Sequence, residues 1–456
     1  MEPSAVIKKF NLELFLVYGV FLCMSIYFQI KNPIQEDLFF IQVIYSIIFL
    51  TFFFTGIQYS VHSAIIIILC YQILGSIFFY FYYNFYLHSP FGFDPVDSLL
   101  YQRIAEETVN ISINKLLSYL QEKFSPSDWG YNIYKYCITR LVGDAEDALF
   151  VICMINACLH TISSYYLYKL AKYFVNPKEA IVILLLWGLS VTSLFFNTCG
   201  LKETLFLFLI ILSVYHLYAF YKSNNRINKR IHFILMGIFI VTTWFFRYYI
   251  SLFIILTFIG CVPLRKIYNK YFPMILLSIF LVCLFGLNLL FVFMPELSYV
   301  ITSLISNGKE VVNYAGGNLI VAGIINYTLA FLSPIPAFSA ENVNVNLLVC
   351  TYSIIKVYFS FFGLYGIYHA IKINDISIYP IITILVFNIV LCIVASVSLD
   401  FRFAYPTTFL YIILIVYGFN HFSIRKNIQV KKTFSISVIR VFIFFYSLGL
   451  TYVYNV

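Results

Sequence analysis

Charged residues are scarce in this sequence. Only 11% of the 456 residues are charged, whereas 62% are hydrophobic. A water-soluble chain of this length cannot bury that much apolar surface, but a lipid bilayer accommodates it, so the composition excludes an ordinary soluble protein. We therefore predict an all-α, polytopic membrane protein in which each span is formed by about 20 apolar residues.

Paired cysteines and clustered metal ligands are also lacking. The ten cysteines are scattered, and neither a CxxC pair nor a His/Cys spacing typical of a zinc site occurs. The sequence therefore supports neither a disulfide framework nor a zinc centre. It contains no soluble segment of domain size and no convincing internal repeat. Residues 1–456 are expected to form one integral-membrane domain, with the first span retained as an anchor.

Apolar windows predict about thirteen membrane-spanning helices, within a range of roughly 11 to 14. The segment 319–338 is apolar as well, but Pro334 and Pro336 interrupt it. This segment is expected to be re-entrant or interfacial, with a full span as the alternative. The predicted spans are 11–30, 38–57, 61–84, 148–171, 180–197, 201–221, 232–246, 249–264, 271–295, 346–371, 376–398, 404–424 and 433–454.

Lysine and arginine gather in the short turns between these spans. Lys8 and Lys9 precede the first span, and Lys222 and Arg226 lie in a later turn. The positive-inside rule places such turns and the amino terminus in the cytoplasm, and three spans then place the segment 88–147 on the opposite side. That side is the periplasm or an equivalent lumen, and we expect a bacterial inner-membrane protein with a periplasmic active face. The net charge of +9 thus reflects topology and does not indicate nucleic-acid binding.

The few carboxylates are concentrated in the segment 88–147, an outer loop expected to carry amphipathic helices. A helical turn would place Asp94 and Asp97 on one face, with Tyr101 one turn later. Either carboxylate can serve as a general base. The alternative role is helix capping, because Asp-Pro-Val-Asp before an amphipathic run is a helix-start signal. Nine of the chain's twenty carboxylates lie in this loop: Asp94, Asp97, Glu106, Glu107, Glu122, Asp128, Asp144, Glu146 and Asp147.

A first charged edge of the predicted spans is formed by Lys202 and Glu203, which follow Gly200 at the start of a span. A charged side chain at membrane depth costs ~2.5–3.5 kcal/mol on insertion scales, so its presence indicates a functional or structural role. A bend at the glycine can present the lysine ammonium to an anionic ligand at a helix amino terminus. The alternative is an interfacial Lys–Glu pair that closes a tight turn.

Two arginines mark further edges. Arg247 lies at the apex of a predicted hairpin of two short spans, where its guanidinium can bind a phosphate bidentately or snorkel among tyrosines. Arg402, three residues before Tyr405, can bind a lipid-linked phosphate or pair with Asp400. The predicted topology places these edges on the face of the 88–147 loop. Such a face suits a ligand with a phosphate, which cations hold, and a hydroxyl, whose proton a carboxylate takes.

Five short segments together carry a resemblance to a known superfamily: Asp97–Ala105, Gly130–Gly143, Ile155–Ala171, Gly200–Thr204 and Arg402–Pro406. Their order and spacing resemble the GT-C superfamily of integral-membrane glycosyltransferases, especially members related to the protein O-mannosyltransferase and aminoarabinose transferase families. The chain departs from that pattern in having Asn132 where the family's Gly-Tyr-Pro element has proline, and three spans before the acidic loop.

The resemblance implies transfer of a sugar from a polyprenyl-phosphate donor to a hydroxyl of a glycan, lipid or protein acceptor, with inversion at the anomeric carbon. It implies that Asp94 or Asp97 is the general base. Some relatives use a divalent cation, Mg²⁺ or Mn²⁺, held by loop carboxylates, and others do not. The residues implied in substrate binding are Tyr101, Arg103, Lys202, Glu203, Arg247, Arg402 and Tyr405.

Three alternatives stay open. Polymerases of O-antigen, capsule and exopolysaccharide look similar in an outer-loop Asp-x-x-x-Tyr pattern, which Asp97 and Tyr101 match here. They use polyprenyl-diphosphate oligosaccharides, and outer arginines suit a diphosphate. A lipid or solute transporter would carry charges near the bilayer midplane or broken helices in related halves. An accessory subunit is the third alternative. The concentration of charge at one edge favours glycosyl transfer.

Overall fold

The computed structural model describes residues 3–31, 36–58, 60–86, 88, 97–124, 126–261, 346–394, 402 and 404–426. These residues are predominantly helical, and no β-strand occurs among them. The predicted all-α fold class is therefore confirmed for the part of the chain that the structure describes.

Fourteen α-helices are described, and a 3₁₀ turn, Tyr405–Thr407, precedes the last of them. The first seven are α1 (Pro3–Lys31), α2 (Glu36–Gly56), α3 (Val61–Phe81, continued by a π-helical turn, Tyr82–Tyr86), α4 (Asp97–Thr108), α5 (Ile113–Lys123), α6 (Pro126–Val142) and α7 (Ala145–Ala171). The others are α8 (Pro177–Gly188), α9 (Val191–Thr198), α10 (Glu203–Lys222), α11 (Arg226–Cys261), α12 (Asn346–Ile373), α13 (Tyr379–Val394) and α14 (Thr408–Lys426).

The described residues divide into two compact units that alternate along the chain. The first is drawn from Met1–Tyr248, Pro334–Gly366 and Ile412–Val456. The second is drawn from Tyr249–Ser333 and Ile367–Tyr411. Of the residues implied in substrate binding, Arg402 and Tyr405 fall in the second unit and the others in the first. The expectation of one integral-membrane domain over the whole chain stays a prediction.

Six helical stretches in the described residues are long and apolar enough to cross a membrane, and the bent pair α8 and α9, with a 43° angle, adds a seventh if it is one span. Several apolar helices of this kind fit an integral membrane protein. The predicted spans 271–295 and 433–454 and the interrupted segment 319–338 lie outside the described residues, so the count of thirteen stays a prediction. The six stretches are Ala5–Tyr27, Val61–Tyr86, Ala145–Ala171, Glu203–Lys222, Arg226–Ile259 and Ser353–Ile373.

The predicted hairpin around Arg247 differs from the structure. Both of its legs, 232–246 and 249–264, begin within a single helical element, α11. The break falls at the predicted residue, because Arg247 has φ −159° and ψ 95°, outside the helical region. The chain is thus interrupted at the arginine without a separate turn segment.

Helix α7 is central to the first unit, where it contacts α3, α6, α8, α9 and α10. It begins where the carboxylate-rich segment ends. The Asp144 side chain caps it by accepting hydrogen bonds from the backbone N–H groups of Glu146, at 2.8 Å, and Asp147, at 3.0 Å. Such a cap satisfies two of the free N–H groups of a helix start.

Helices α4, α5 and α6 form a small helical layer over one end of the first unit, which we call the loop end. Within the layer, Leu116, Leu120 and Tyr136 form a buried cluster. The Tyr136 hydroxyl donates to the backbone oxygen of Ile111 at 2.7 Å, which fixes the turn between α4 and α5 against α6. The buried faces of these helices supply apolar packing, while their other faces carry exposed charges.

Candidate functional site

A bend between α9 and α10 brings two charged residues to the loop end. Gly200 has φ +67°, a left-handed conformation that costs glycine little and other residues more. Lys202 and Glu203 follow it after one residue, Leu201. Ser98 of α4 donates a hydrogen bond from its hydroxyl to the backbone oxygen of Cys199, so the bend is attached to the helical layer.

Asn197, the residue that anchors this bend, is fully buried and makes three hydrogen bonds. Its side-chain oxygen accepts from the Thr204 hydroxyl at 2.7 Å, across the bend. Its side-chain nitrogen donates to Gln72 of α3 at 2.9 Å, and its backbone oxygen accepts from Asn156 of α7 at 3.3 Å. Three helices therefore fix the position from which Lys202 and Glu203 extend.

Glu203 forms a buried ion pair with Arg247. Its Oε1 atom lies 2.9 Å from Nη2 of Arg247, and the side chains are 2% and 11% exposed. The guanidinium also lies over the ring of Phe206, 5.4 Å from its centroid. Because a buried charge without a partner is strongly unfavourable, this pair holds the break in α11 beside the start of α10.

Lys202 forms a second ion pair, with Asp128 near the start of α6. Nζ of Lys202 lies 2.5 Å from Oδ1 of Asp128, and the side chains are 13% and 30% exposed. The Tyr101 hydroxyl of α4 donates to the same oxygen at 3.4 Å. We call these five residues, Tyr101, Asp128, Lys202, Glu203 and Arg247, the ion-pair cluster.

Helix α6 approaches the cluster closely because residue 130 is glycine. A Cβ atom at Gly130 would lie 2.4 Å from a ring carbon of Phe246, closer than two carbon atoms can approach. The Trp129 ring stacks on Phe245, with centroids 6.3 Å apart. The next residue, Tyr131, packs edge-on against Tyr101 at 4.9 Å. The segment that carries Asp128 is thus placed directly beside Arg247.

The electrostatic surroundings of Tyr101 show which charges share this region. Burial raises the pKa of its hydroxyl, and the charges of Asp128, Glu203 and Asp97 act in the same direction, while Arg247 opposes them. Asp97 is the first residue of α4 and is half-buried. One of the two predicted general bases therefore lies in the neighbourhood of the ion-pair cluster.

The predicted site residues are brought together only in part. Tyr101, Lys202, Glu203 and Arg247 all belong to the cluster. Arg103 lies on the exposed side of α4, and no contact between it and the cluster is found among the described residues. Asp94 lies outside the described residues. In the second unit, Arg402 is half-buried and Tyr405 is buried.

Asp128 is the site residue that the sequence analysis missed. It was counted among the loop carboxylates, but its partner Lys202 is 74 residues away. The available signal was local: Ser-Pro-Ser-Asp at 125–128 is a helix start, with proline in the first turn and an acid that the helix dipole favours. That signal predicts a helix amino terminus but does not identify the ion-pair partner of Asp128.

No group of three or more His, Cys, Asp or Glu side chains with the geometry of a metal site occurs among the described residues. The sequence leaves the use of Mg²⁺ or Mn²⁺ undecided. Comparison of the chain with protein-family models, with curated proteins and with solved structures finds no match.

Proposed function

We propose that the chain is a membrane glycosyltransferase that moves a sugar from a polyprenyl-phosphate donor to an acceptor hydroxyl, with inversion. The observation that carries the proposal is the ion-pair cluster, in which two cations and two carboxylates meet at the end of apolar helices. A lipid-linked phosphate needs cations at this level of a membrane protein, since its isoprenoid chain stays in the bilayer. The GT-C-like arrangement of about thirteen spans belongs to the same proposal.

The two cations differ in how readily they can receive a phosphate. Arg247 is held by Glu203, whose side chain is only 2% exposed, so this pair is costly to open. Lys202 is held by Asp128, whose side chain is 30% exposed and can turn towards water. We therefore assign the first contact with the donor phosphate to Lys202, which exchanges the Asp128 carboxylate for the phosphate. Arg247 contributes positive charge from its fixed position.

Asp97 is the general base in this scheme, with Asp94 as the alternative. The carboxylate takes the proton of the acceptor hydroxyl while the acceptor oxygen bonds to the anomeric carbon of the donor sugar. The bond between that carbon and the phosphate oxygen breaks, and the polyprenyl phosphate leaves with the bonding electrons. Lys202 and Arg247 stabilise the negative charge that develops on the leaving group.

The location of the reaction follows from the distribution of lysine and arginine. With the turns at 169–178 and 222–230 in the cytoplasm, the loop end faces the periplasm of a bacterial inner membrane. A periplasmic acceptor, on a glycan, lipid or protein, would then meet the donor at the bilayer surface.

Lipid consumption tests the proposal directly. Purified protein in nanodiscs is incubated with radiolabelled polyprenyl-phosphate hexoses and, separately, with polyprenyl-diphosphate oligosaccharides. Consumption of the monophosphate and release of polyprenyl phosphate is the expected result. Chain growth from the diphosphate would instead identify a polysaccharide polymerase. If folded protein consumes neither, the glycosyltransferase proposal is wrong and transport becomes the leading function.

A further inference from the structure

Among the buried polar atoms without a hydrogen-bond partner in the described residues, one belongs to the ion-pair cluster and another lies next to it. They are the hydroxyl oxygen of Tyr131, whose residue is 0% exposed, and Oε2 of Glu203, whose residue is 2% exposed. Buried polar atoms in folded proteins are nearly always hydrogen-bonded to protein or to ordered water. A hydrogen-bond partner is therefore expected for each of these two atoms.

Both atoms border the same part of the molecule. Glu203 is bound through its other oxygen, Oε1, to Arg247. Residue 246 next to that arginine packs against Gly130, the neighbour of Tyr131. Burial raises the pKa of the Tyr131 hydroxyl, and the charge of Glu203 contributes in the same direction. Tyr131 and Glu203 do not bond to each other, so each atom needs a partner from outside the pair.

The chemistry of the two atoms determines which groups they can bind. A carboxylate oxygen only accepts hydrogen bonds, whereas a tyrosine hydroxyl both donates and accepts. An ammonium group would be placed near the Arg247 guanidinium and would have to lose its water, which disfavours it. A neutral alcohol can donate to Glu203 and accept from Tyr131. A sugar ring carries several such hydroxyls.

We propose that Tyr131 and Glu203 form a subsite for one hydroxyl of the transferred sugar, next to the cations that hold the donor phosphate. The subsite rests on the proposed function, and it adds a source of sugar specificity. A site with buried polar groups discriminates strongly against a substrate that lacks the matching hydroxyl, because those groups are then left unpaired.

Short-chain donors separate the subsite from the phosphate site. Binding of citronellyl phosphate and of its glucose, mannose and galactose esters is measured with wild-type protein in nanodiscs. We expect at least one sugar ester to bind about 10-fold or more tightly than citronellyl phosphate itself. The deoxy analogue of that ester that lacks the recognised hydroxyl is expected to bind no better than citronellyl phosphate.

Tyr131→Phe removes only the unpartnered hydroxyl, so the variant is expected to fold as well as the wild type. The variant should bind the sugar ester no more tightly than citronellyl phosphate, while its affinity for citronellyl phosphate itself should stay unchanged. Tyr136→Phe is the matched control, because its hydroxyl bonds to Ile111 and lies in a separate cluster; it should still bind the sugar ester more tightly than citronellyl phosphate. The subsite is wrong if Tyr131→Phe still binds the sugar ester more tightly than citronellyl phosphate, or if the wild type does not. Either result leaves the proposed phosphate site unaffected. Absence of any binding overturns both.

Discussion

Glu203 and Arg247, 44 residues apart in the chain, form an ion pair with 2.9 Å between Oε1 and Nη2, almost out of contact with water. The pair joins the first residue of α10 to the one residue of α11 that leaves helical geometry. A break in a helix frees backbone hydrogen bonds and needs compensation. The ion pair, together with the packing of Phe245 and Phe246 against α6, holds the broken segment in place beside the cluster.

Removal of one partner of this pair should destabilise the protein strongly. Arg247→Ala leaves the Glu203 carboxylate buried and unpaired, and the expected loss in free energy of unfolding is about 3–5 kcal/mol. Glu203→Gln in the same chain should recover part of that loss, because it removes the unpaired charge. The free energies of unfolding of the wild type, the two single variants and the double variant are measured by denaturation in one detergent. Together they form a double-mutant cycle. Arg103→Ala, at an exposed position on α4, is the control. Equal stabilities across the set would mean that the pair does not hold the break.

Asp128 and Lys202 should behave differently, because their pair is more exposed. Asp128→Asn is expected to change the free energy of unfolding by less than about 1 kcal/mol. The same change should tighten the binding of citronellyl phosphate, since Lys202 no longer has a competing carboxylate. Lys202→Met should weaken that binding and reduce its dependence on salt. Glu122→Gln, at an exposed carboxylate on α5, should leave the free energy of unfolding and the affinity for citronellyl phosphate unchanged. Weaker binding in Asp128→Asn would contradict the exchange of partners.

The individual charges of the site could be predicted from the sequence, but their partners could not. Lys202 and Glu203 are adjacent, and the simplest alternative was a pair that closes a turn. In the structure each bonds to a distant residue instead, the first to Asp128 and the second to Arg247. Buried charges select partners by three-dimensional packing, and sequence distance carries no information about that packing.

For the fold, too, features that depend on residues close in sequence could be predicted, and contacts between residues far apart in sequence could not. The apolar period and the length of stretches such as Val61–Tyr86 and Ala145–Ala171 are local properties, and these spans match the prediction closely. The break at Arg247 falls at the predicted apex of a hairpin, but one helical element, α11, takes the place of that hairpin. The bond between Asn197 and Gln72, 125 residues apart, depends on which helices become neighbours. Hydrophobic pattern alone does not specify that order.

Asp97→Asn should abolish sugar transfer without weakening donor binding. The amide keeps the shape of the side chain but cannot take the acceptor proton, and loss of a general base lowers the rate by about 10²–10⁴-fold. Turnover of the labelled donor and the affinity for citronellyl phosphate are measured on the same preparation. Asp94→Asn is made in parallel, because it is the alternative base. Full activity in the double variant would remove the loop carboxylates from the mechanism.

Lys135 of α6 should make stability depend on pH. The side chain is fully buried, and burial lowers the pKa of its ammonium from 10.5 to about 7, although the charge of Glu106 acts against this shift. Between about pH 7 and pH 10 the unfolded chain binds a proton that the folded chain does not, so the free energy of unfolding rises with pH. Below about pH 7 the folded and the unfolded chain both carry the proton on Lys135, so this residue no longer makes the free energy of unfolding depend on pH.

Lys135→Met has a similar volume and no proton to bind, so it should remove this dependence. We expect the variant to be more stable than the wild type near pH 7. Its advantage should shrink as the pH rises towards 10, by at most about 1.4 kcal/mol per pH unit. Thermal unfolding across this range measures the difference, and Lys115→Met, at an exposed position on α5, is the control with no expected trend. Parallel curves for the wild type and Lys135→Met would show that the buried ammonium keeps its ordinary pKa, held by charge from its neighbours.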